Sequence, residues 1–505
     1  MIDLTVARIA EIVGGTLADI SPQAAAGCHV TGTVEFDSRA VGPGGLFLAL
    51  PGARSDGHDH AASAVAAGAV AVLAARPVGV PAIVVAPQPK DSRAGVLEHD
   101  PDGSGAAVLA ALAKLAKAVA AELVAGGLRI IGITGSSGKT STKDLVKAVL
   151  EPLGEVVAPP GSFNNELGHP WTVLRATRGT DFLVLEMSAR HPGNIAELAA
   201  IAPPAIAVVL NVGTAHLGEF GSREAIASTK AELPQAVPPS GVVVLNADDP
   251  AVAAMADVTK VTGARVVRVS RTGPSDIWAG PVTLDDLARP TFTLHVRGHA
   301  RADSAEVSLG VYGDHQVSNA MCAAAVALEC GAGIEQVAAA LAATGPVSRH
   351  RMQVTTRADG VTVIDDAYNA NPDSMRAGLQ ALAWIAHGPD EPRRSWAVLG
   401  EMAELGEDAI AEHDRIGRLA VRLDVSRLVV VGSGRSMSAM HHGAVLEGSW
   451  GSEAVSVADG DAALALLRAE LRPGDVVLVK ASNAAGLGTL ADALAADPNQ
   501  GSVRS

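Results

Sequence analysis

The chain has 505 residues, enough for about three domains that each bury a core. It is 48% hydrophobic and 18% charged with a net charge of -15 and no Lys/Arg run, which excludes a nucleic-acid surface and confines any phosphate binding to a local site. Its cysteines, Cys28, Cys322 and Cys330, are odd in number and show no CxxC spacing, so a disulfide framework and a cysteine zinc site are excluded and a reducing, cytoplasmic setting is expected.

The first residues, MIDLTVARIAEIVGG, carry Asp3, Arg8 and Glu11 and read as a short amphipathic helix, not a leader. The longest uncharged apolar run, 61–75, is too short to cross a bilayer and is broken by Gly68, so no membrane anchor is expected. Short strands are predicted at 46–50, 70–73 and 83–85. Between them, FDSRAVGPGGLFLALPGARSDGHDH (36–60) gathers Asp37, Ser38, Arg39, Asp56, His58 and His60 around Gly/Pro turns. That pattern suits either a polar surface loop or a site for a ligand bearing phosphate and hydroxyl groups. Residues 87–105 are polar and rich in Pro, Gly and Asp, as in a linker, and an Ala/Leu helix is predicted over 106–123.

The stretch LRIIGITGSSGKTSTKDLVKAVL (128–150) organises the rest. An apolar run to Thr134, a turn at Gly135, Ser136, Ser137 and Gly138, and a one-faced apolar pattern from Lys139 read as strand, loop and helix, with Pro152 helping to end the helix. Glycines let successive amides face one oxyanion, and the helix adds the positive end of its dipole. Lys139 then brings a point charge to a phosphate, and Thr140, followed by Ser141, a hydroxyl to a magnesium ion. The usual GxxxxGK[ST] pattern would place glycine at Ile133; here it lies at Gly135.

Strands and helices then alternate, as in a mainly parallel sheet, with strands predicted at 130–134, 182–185, 206–210 and 242–245. Glu186, Asn211 and the group Asn246, Asp248 and Asp249 follow them and face the crevice at the carboxyl ends of the strands. Glu186 is the expected second magnesium contact. His216 fits either the metal site or a structural role, and Lys230 reads as an ordinary helix-surface lysine. Polarity alternates near 280–312, and an apolar helix follows over 312–330 with His315 and Asn319 one turn apart at its start. There they fit a base or ribose contact or the polarity of a helix N-terminus. From 347 a second alternation begins, with strands at 361–365, 395–399, 427–431 and 476–479 and helices at 373–386, 408–422 and 461–471. This is a Rossmann-like pattern without a phosphate loop of its own, and it suits a domain that closes over a neighbour's nucleotide.

In order along the chain stand DSR, FLALPG and DGH, TGSSGKT, FNNELGHP (163–170), the Glu-Met of 186–187, AHLGEFGS (215–222), NADD, GDHQVSN, RMQV, DDAYNANPDSM (365–375), LGEMAELG and LVKAS. Together they resemble the Mur ligase family across nearly the whole chain. The resemblance implies an α/β fold of three domains: 1–104 for the UDP substrate with a linker, 105–345 for ATP on a P-loop sheet, and 346–505, Rossmann-like, closing on the nucleotide and binding the incoming dipeptide. It implies an ATP-dependent ligase that joins D-alanyl-D-alanine to UDP-N-acetylmuramoyl-tripeptide through an acyl phosphate, giving the pentapeptide precursor of peptidoglycan, and that works as a monomer.

By the same resemblance Ser38, Arg39, Asp56 and His58 belong to the UDP-substrate site, and Asn371, Lys480 and Ser482 to the substrate side of the C-terminal domain. Lys139 and Thr140 bind ATP phosphates and magnesium, Asn164 and Asn165 match a nucleotide motif, and Glu186 and His216 hold a second magnesium ion. Lys230 matches a lysine that family members carbamylate, a change that turns a cation into an anion able to position metal. His315 and Asn319 fall on the adenine side, and Arg351 and Asp366 are brought to the nucleotide on closure. The last motif is usually Lys-Gly-Ser-Arg; Ala481 and Asn483 depart from it, and 187–194 is looser than the common glycine-bearing form, which leaves His191 without an assigned role. Rival readings are a diamino-acid-adding ligase of the family, disfavoured by NPDSM at 371–375, a folylpolyglutamate synthase, disfavoured by the DSR segment, and a P-loop switch, which would need no UDP-sugar site.

Overall fold

The computed structural model of the chain describes residues 1–87, 97–213, 217–297, 304–388, 392–448 and 453–496. Its three main sheets follow one another along the chain. The first runs in the order Thr16–Ala18, Ala82–Val84, Ala69–Ala74, Gly45–Leu48 and Val34–Glu35, parallel except for the first pair. The apolar run 61–75 is divided between the helix Ala61–Ala66 and the strand Ala69–Ala74. No helix among the described residues is long and apolar enough to cross a membrane.

The second sheet has ten strands. Seven are parallel, in the order Val156–Val157, Phe182–Glu186, Arg129–Thr134, Ile206–Val209, Val242–Asn246, Arg265–Ser270 and Ile277–Ala279. The alternating segment near 280–312 forms an antiparallel extension in which Pro290–Val296 pairs with Ile277–Ala279, Thr283–Leu284 and Ser304–Ser308. The inner strands are apolar between their polar end residues because both faces are covered. One face carries the helices Lys139–Leu150 and Gln316–Glu329, through Leu145, Val146, Val149, Val317 and Met321. The other packs on the helix Ser104–Ala125, whose Leu112, Leu115 and Val119 also reach the N-terminal core.

The third sheet runs Gln353–Thr356, Thr362–Asp366, Val476–Lys480, Ser395–Leu399, Arg427–Val431 and Ala454–Val457, parallel after the first pair. Among the contacts that tie the domains together, three stand away from the phosphate loop. Phe36 meets Trp171 edge to face and Phe163 packs on it at a tilt, with centroids 5.7 and 4.7 Å apart, and the Trp171 indole donates to the Val34 carbonyl at 2.8 Å, so the DSR turn rests on the residue before Asn164. Arg190 pairs with Glu404 at 3.2 Å. Beside them Gly218 and Gly406 meet backbone to backbone: a Cβ on Gly218 would lie 2.5 Å from the Gly406 nitrogen.

Candidate active site

The loop between the strand Arg129–Thr134 and the helix Lys139–Leu150 is shaped from two sides. Gly138 takes φ of +81°, where side chains are strained, and a Cβ there would lie 2.7 Å from Asn319 Oδ1. Asn211, at the end of the neighbouring strand, accepts the Ser136 amide on its carbonyl at 3.1 Å and the Ser137 amide on Oδ1 at 2.9 Å, and donates Nδ2 to the Ser137 carbonyl at 3.2 Å. The Ser136 and Ser137 amides therefore hold the loop in shape, which differs from the expectation that they face phosphate. The first amides of the helix, from Lys139 and Thr140, have no intrahelical partner and are the ones left open to an anion. Lys139 Nζ donates to the Gly135 carbonyl at 2.7 Å. Burial brings its pKa down to about 8, with the Arg351 charge adding to the effect and Glu186 and Glu404 opposing it.

Glu186 ends the strand Phe182–Glu186 and is fully buried. Its Oε2 accepts from Thr140 Oγ1, Ser162 Oγ and Asn164 Nδ2, each at 3.3 Å, while Oε1 is buried without a partner. Burial raises its pKa, against the pull of Lys143, Lys139 and Arg351. A carboxylate with one oxygen free of hydrogen bonds and hydroxyls gathered on the other is a donor set that fits a hard divalent cation such as magnesium. Ser162 is a member that the sequence did not single out; its only signal is its place just before FNN.

Lys230 corrects a reading. It lies on the helix Arg223–Gln235 but is 7% exposed, not on the surface, and its ammonium has no hydrogen-bond or ion-pair partner among the described residues. Burial, and then the charge of Lys139, push its pKa well below the usual lysine range. His216 lies outside the described residues. His191 binds the Pro192 carbonyl at 3.0 Å and does not line the cavity described next.

Residues from the central and C-terminal domains enclose one cavity of about 750 Å³. The P-loop, Asn164, Asn165, His315 and Asn319 line one side, and Arg351, Asp366, Asn371, Lys480 and Asn483 the other. Asn319 donates to Gln316 Oε1 at 2.8 Å, and burial lowers the pKa of His315. The Arg351 guanidinium stacks over Tyr368 at 4.4 Å and donates to Thr140 Oγ1 at 3.4 Å, across the domain boundary. Buried Lys480 pairs with Asp366 and donates to the Asn369 carbonyl at 3.1 Å. Asn371 caps the helix Pro372–Ala386 through a reciprocal pair with Ser374. Ser482 is committed to the scaffold, its hydroxyl accepting the Ala403 amide at 2.8 Å. Ala481 packs where a Cβ on Gly400 would approach within 2.8 Å, and Asn483 stands at the lining in the place of the usual arginine.

The N-terminal candidates stand apart from this cavity. Arg39 is exposed and pairs with Asp37 at 2.8 Å, and Ser38 beside it is half-buried. Buried His58 uses both ring nitrogens: Nδ1 donates to Asp56 at 2.6 Å and Nε2 accepts the Ala75 amide at 3.0 Å. Asp56 also takes Arg76 at 3.1 Å. His58 and Asp56 thus pin the turn, and exposed Arg39 and Ser38 are the groups a ligand can reach.

Three family models match consecutive parts of the chain: Mur ligase family, catalytic domain, at 31–118; Mur ligase middle domain at 133–327; and Mur ligase, glutamate ligase domain, at 350–483. A UDP-N-acetylmuramoyl-tripeptide–D-alanyl-D-alanine ligase of Mycobacterium tuberculosis is 81% identical, with 100% of both chains covered. The ligase of the same name from Escherichia coli is 33% identical over 86% of each. Among solved structures, MurF from Acinetobacter baumannii superposes with a TM-score of 0.79 at 29% identity, covering 98% of this chain and 99% of that one. MurF ligase from Thermotoga maritima in complex with ADP gives 0.73 at 27% identity, covering 92% and 97%. The chain belongs to the Mur ligase family.

Proposed function

We propose that the chain joins D-alanyl-D-alanine to the free carboxylate of UDP-N-acetylmuramoyl-tripeptide, with ATP converted to ADP and phosphate. The observation that carries this reading is the meeting, on one cavity, of a P-loop lysine and threonine from one domain, the threonine bonded to buried Glu186, with an arginine and a Lys–Asp pair from the next. In the first step a carboxylate oxygen attacks the γ-phosphorus and the bond to the β-phosphate oxygen breaks. In the second, the dipeptide amine attacks the acyl carbon, phosphate leaves and the amine loses a proton. A carboxylate and a polyphosphate repel each other, so Lys139, the helix amides and Arg351 act by neutralising charge that grows on the transferred group. Thr140, Glu186 and His216 would hold two magnesium ions, which supply further neutralisation of the approaching anions.

Ser38 and Arg39 would take the UDP end of the substrate. Lys230 is buried and its pKa is pushed well below the usual lysine range, which favours the neutral amine that carbon dioxide needs to form a carbamate; labelled bicarbonate would then give a carbamate carbon signal that Lys230→Ala abolishes. The three unpaired cysteines agree with a cytoplasmic setting. The function is tested by offering ATP, UDP-N-acetylmuramoyl-tripeptide and D-alanyl-D-alanine, then replacing the acceptor by the dipeptide form or the donor by free diamino acids. Phosphate release with the first set alone is expected; release driven by a diamino acid with the dipeptide form overturns it.

A further inference from the structure

Behind the phosphate loop lies a buried ion pair whose two ends reach different parts of the site. Lys143 is 2% exposed and sits one turn after Lys139 on the same helix. Its Nζ lies 2.7 Å from Asp144 Oδ1 and donates to the Pro159 carbonyl at 2.8 Å. A buried lysine is costly unless its protons are engaged, and these contacts engage it. Pro159 opens the loop that carries Ser162 and Asn164 to Glu186 Oε2, so Lys143 fixes the base of the segment that completes the metal-binding oxygens.

The other end faces the C-terminal domain. Asp144 Oδ2 accepts the amide of Ser348 at 3.3 Å, and Asp366 Oδ1 accepts the amide of Met352 at 3.2 Å. Between these two anchors His350 and Met352 take φ of +57° and +49°, conformations that non-glycine residues hold only when their surroundings enforce them. Arg351 stands between the strained pair, with its Nε buried and unpartnered and its guanidinium against Thr140 and Tyr368.

We propose that Lys143 and Asp144 are positioning residues that set the metal oxygens and Arg351 in register: Lys143 through the 159–164 loop, Asp144 through the segment 348–352. Neither touches the reacting groups. The inference rests on the nucleotide-and-metal reading of the cavity, and calorimetric binding of ADP to the unaltered protein checks that reading separately. With ADP as the probe, Lys143→Met is expected to cut the affinity gained on adding magnesium by about tenfold while changing the metal-free affinity less than about twofold. For Asp144 the measure is a double-mutant cycle on kcat. Asp144→Ala and Arg351→Ala each lower kcat, and the double variant is expected to lose little beyond Arg351→Ala alone. Losses that multiply, or a magnesium effect on ADP unchanged in Lys143→Met, overturn the proposal. Should either variant fail to fold, Lys143→Arg and Asp144→Asn carry the same comparisons. Recovery of the magnesium effect in Lys143→Arg, and non-multiplying losses with Asp144→Asn, support the proposal, and the opposite results refute it.

Discussion

Two polar loops, 36–60 in the first domain and 135–141 in the second, look alike in composition and behave oppositely. In the first, Asp37 is answered by Arg39, and Asp56 by His58 and Arg76, within the loop and its nearest strand. Around the second, polar groups brought by other elements converge and remain unanswered: Glu186 Oε1 and Arg351 Nε are buried without hydrogen-bond partners among the described residues. Buried groups left unsatisfied are unfavourable for the protein alone and favourable once a charged ligand arrives, so the two loops differ in what their surroundings leave open to a ligand.

That contrast can be sharpened by substitution. Lys139→Ala should lower ATP-dependent turnover by about 10³-fold, because a preorganised charge at the transferred phosphate is lost. Binding of the UDP substrate, measured by calorimetry, should stay within about twofold; joint loss of both would erase the division between the loops. Two buried histidines carry the same contrast in miniature. His58 has both ring nitrogens bonded, whereas His169 is fully buried with neither in hydrogen-bond geometry. Burial lowers the His169 pKa from 6.5 to about 4, the nearby backbone of Glu186 and Leu198 offsetting only part. The unfolded chain then binds more protons between those values, so stability falls as pH drops through that window, by about 3 kcal/mol in all. Denaturant titrations across the window should show that slope, and His169→Gln should flatten it.

Glu186→Gln should reduce turnover about 10²-fold yet make the ligand-free protein more stable, since the neutral amide removes a buried charge. A melting temperature that falls instead would show the carboxylate to be already satisfied. The smallest effect is expected at His58: His58→Ala should cost about 2 kcal/mol of stability, from two lost hydrogen bonds and the Ala75 amide left buried without its acceptor, with kcat unchanged at saturating substrate. A fall in kcat would bring the turn into the reaction.

Much of the architecture was legible because inner parallel strands are continuous apolar runs: 395–399 and 427–431 are read and observed with the same limits. Strands at the margins were not. Gln353–Thr356 is half-exposed and polar, and Arg265–Ser270 is interrupted by Arg265 and Arg268, so neither shows a run or a clean alternation. At the site, the helix-forming lysine loop and Glu186 follow from local pattern, whereas burial of Lys230 does not. A lysine on a helix looks solvent-facing until the packing of other elements is known, and only the family resemblance pointed to it. The part played by Asn211, which holds a loop 74 residues away in sequence, is likewise a product of strand order and not of spacing.

The contact of Gly218 with Gly406 bears on the seam between domains. Two bare backbones at that seam let the domains approach to the limit set by main-chain atoms, and any larger residue would prop the seam open. Replacing either glycine by alanine would therefore act on how the two domains meet and not on any group that lines the cavity.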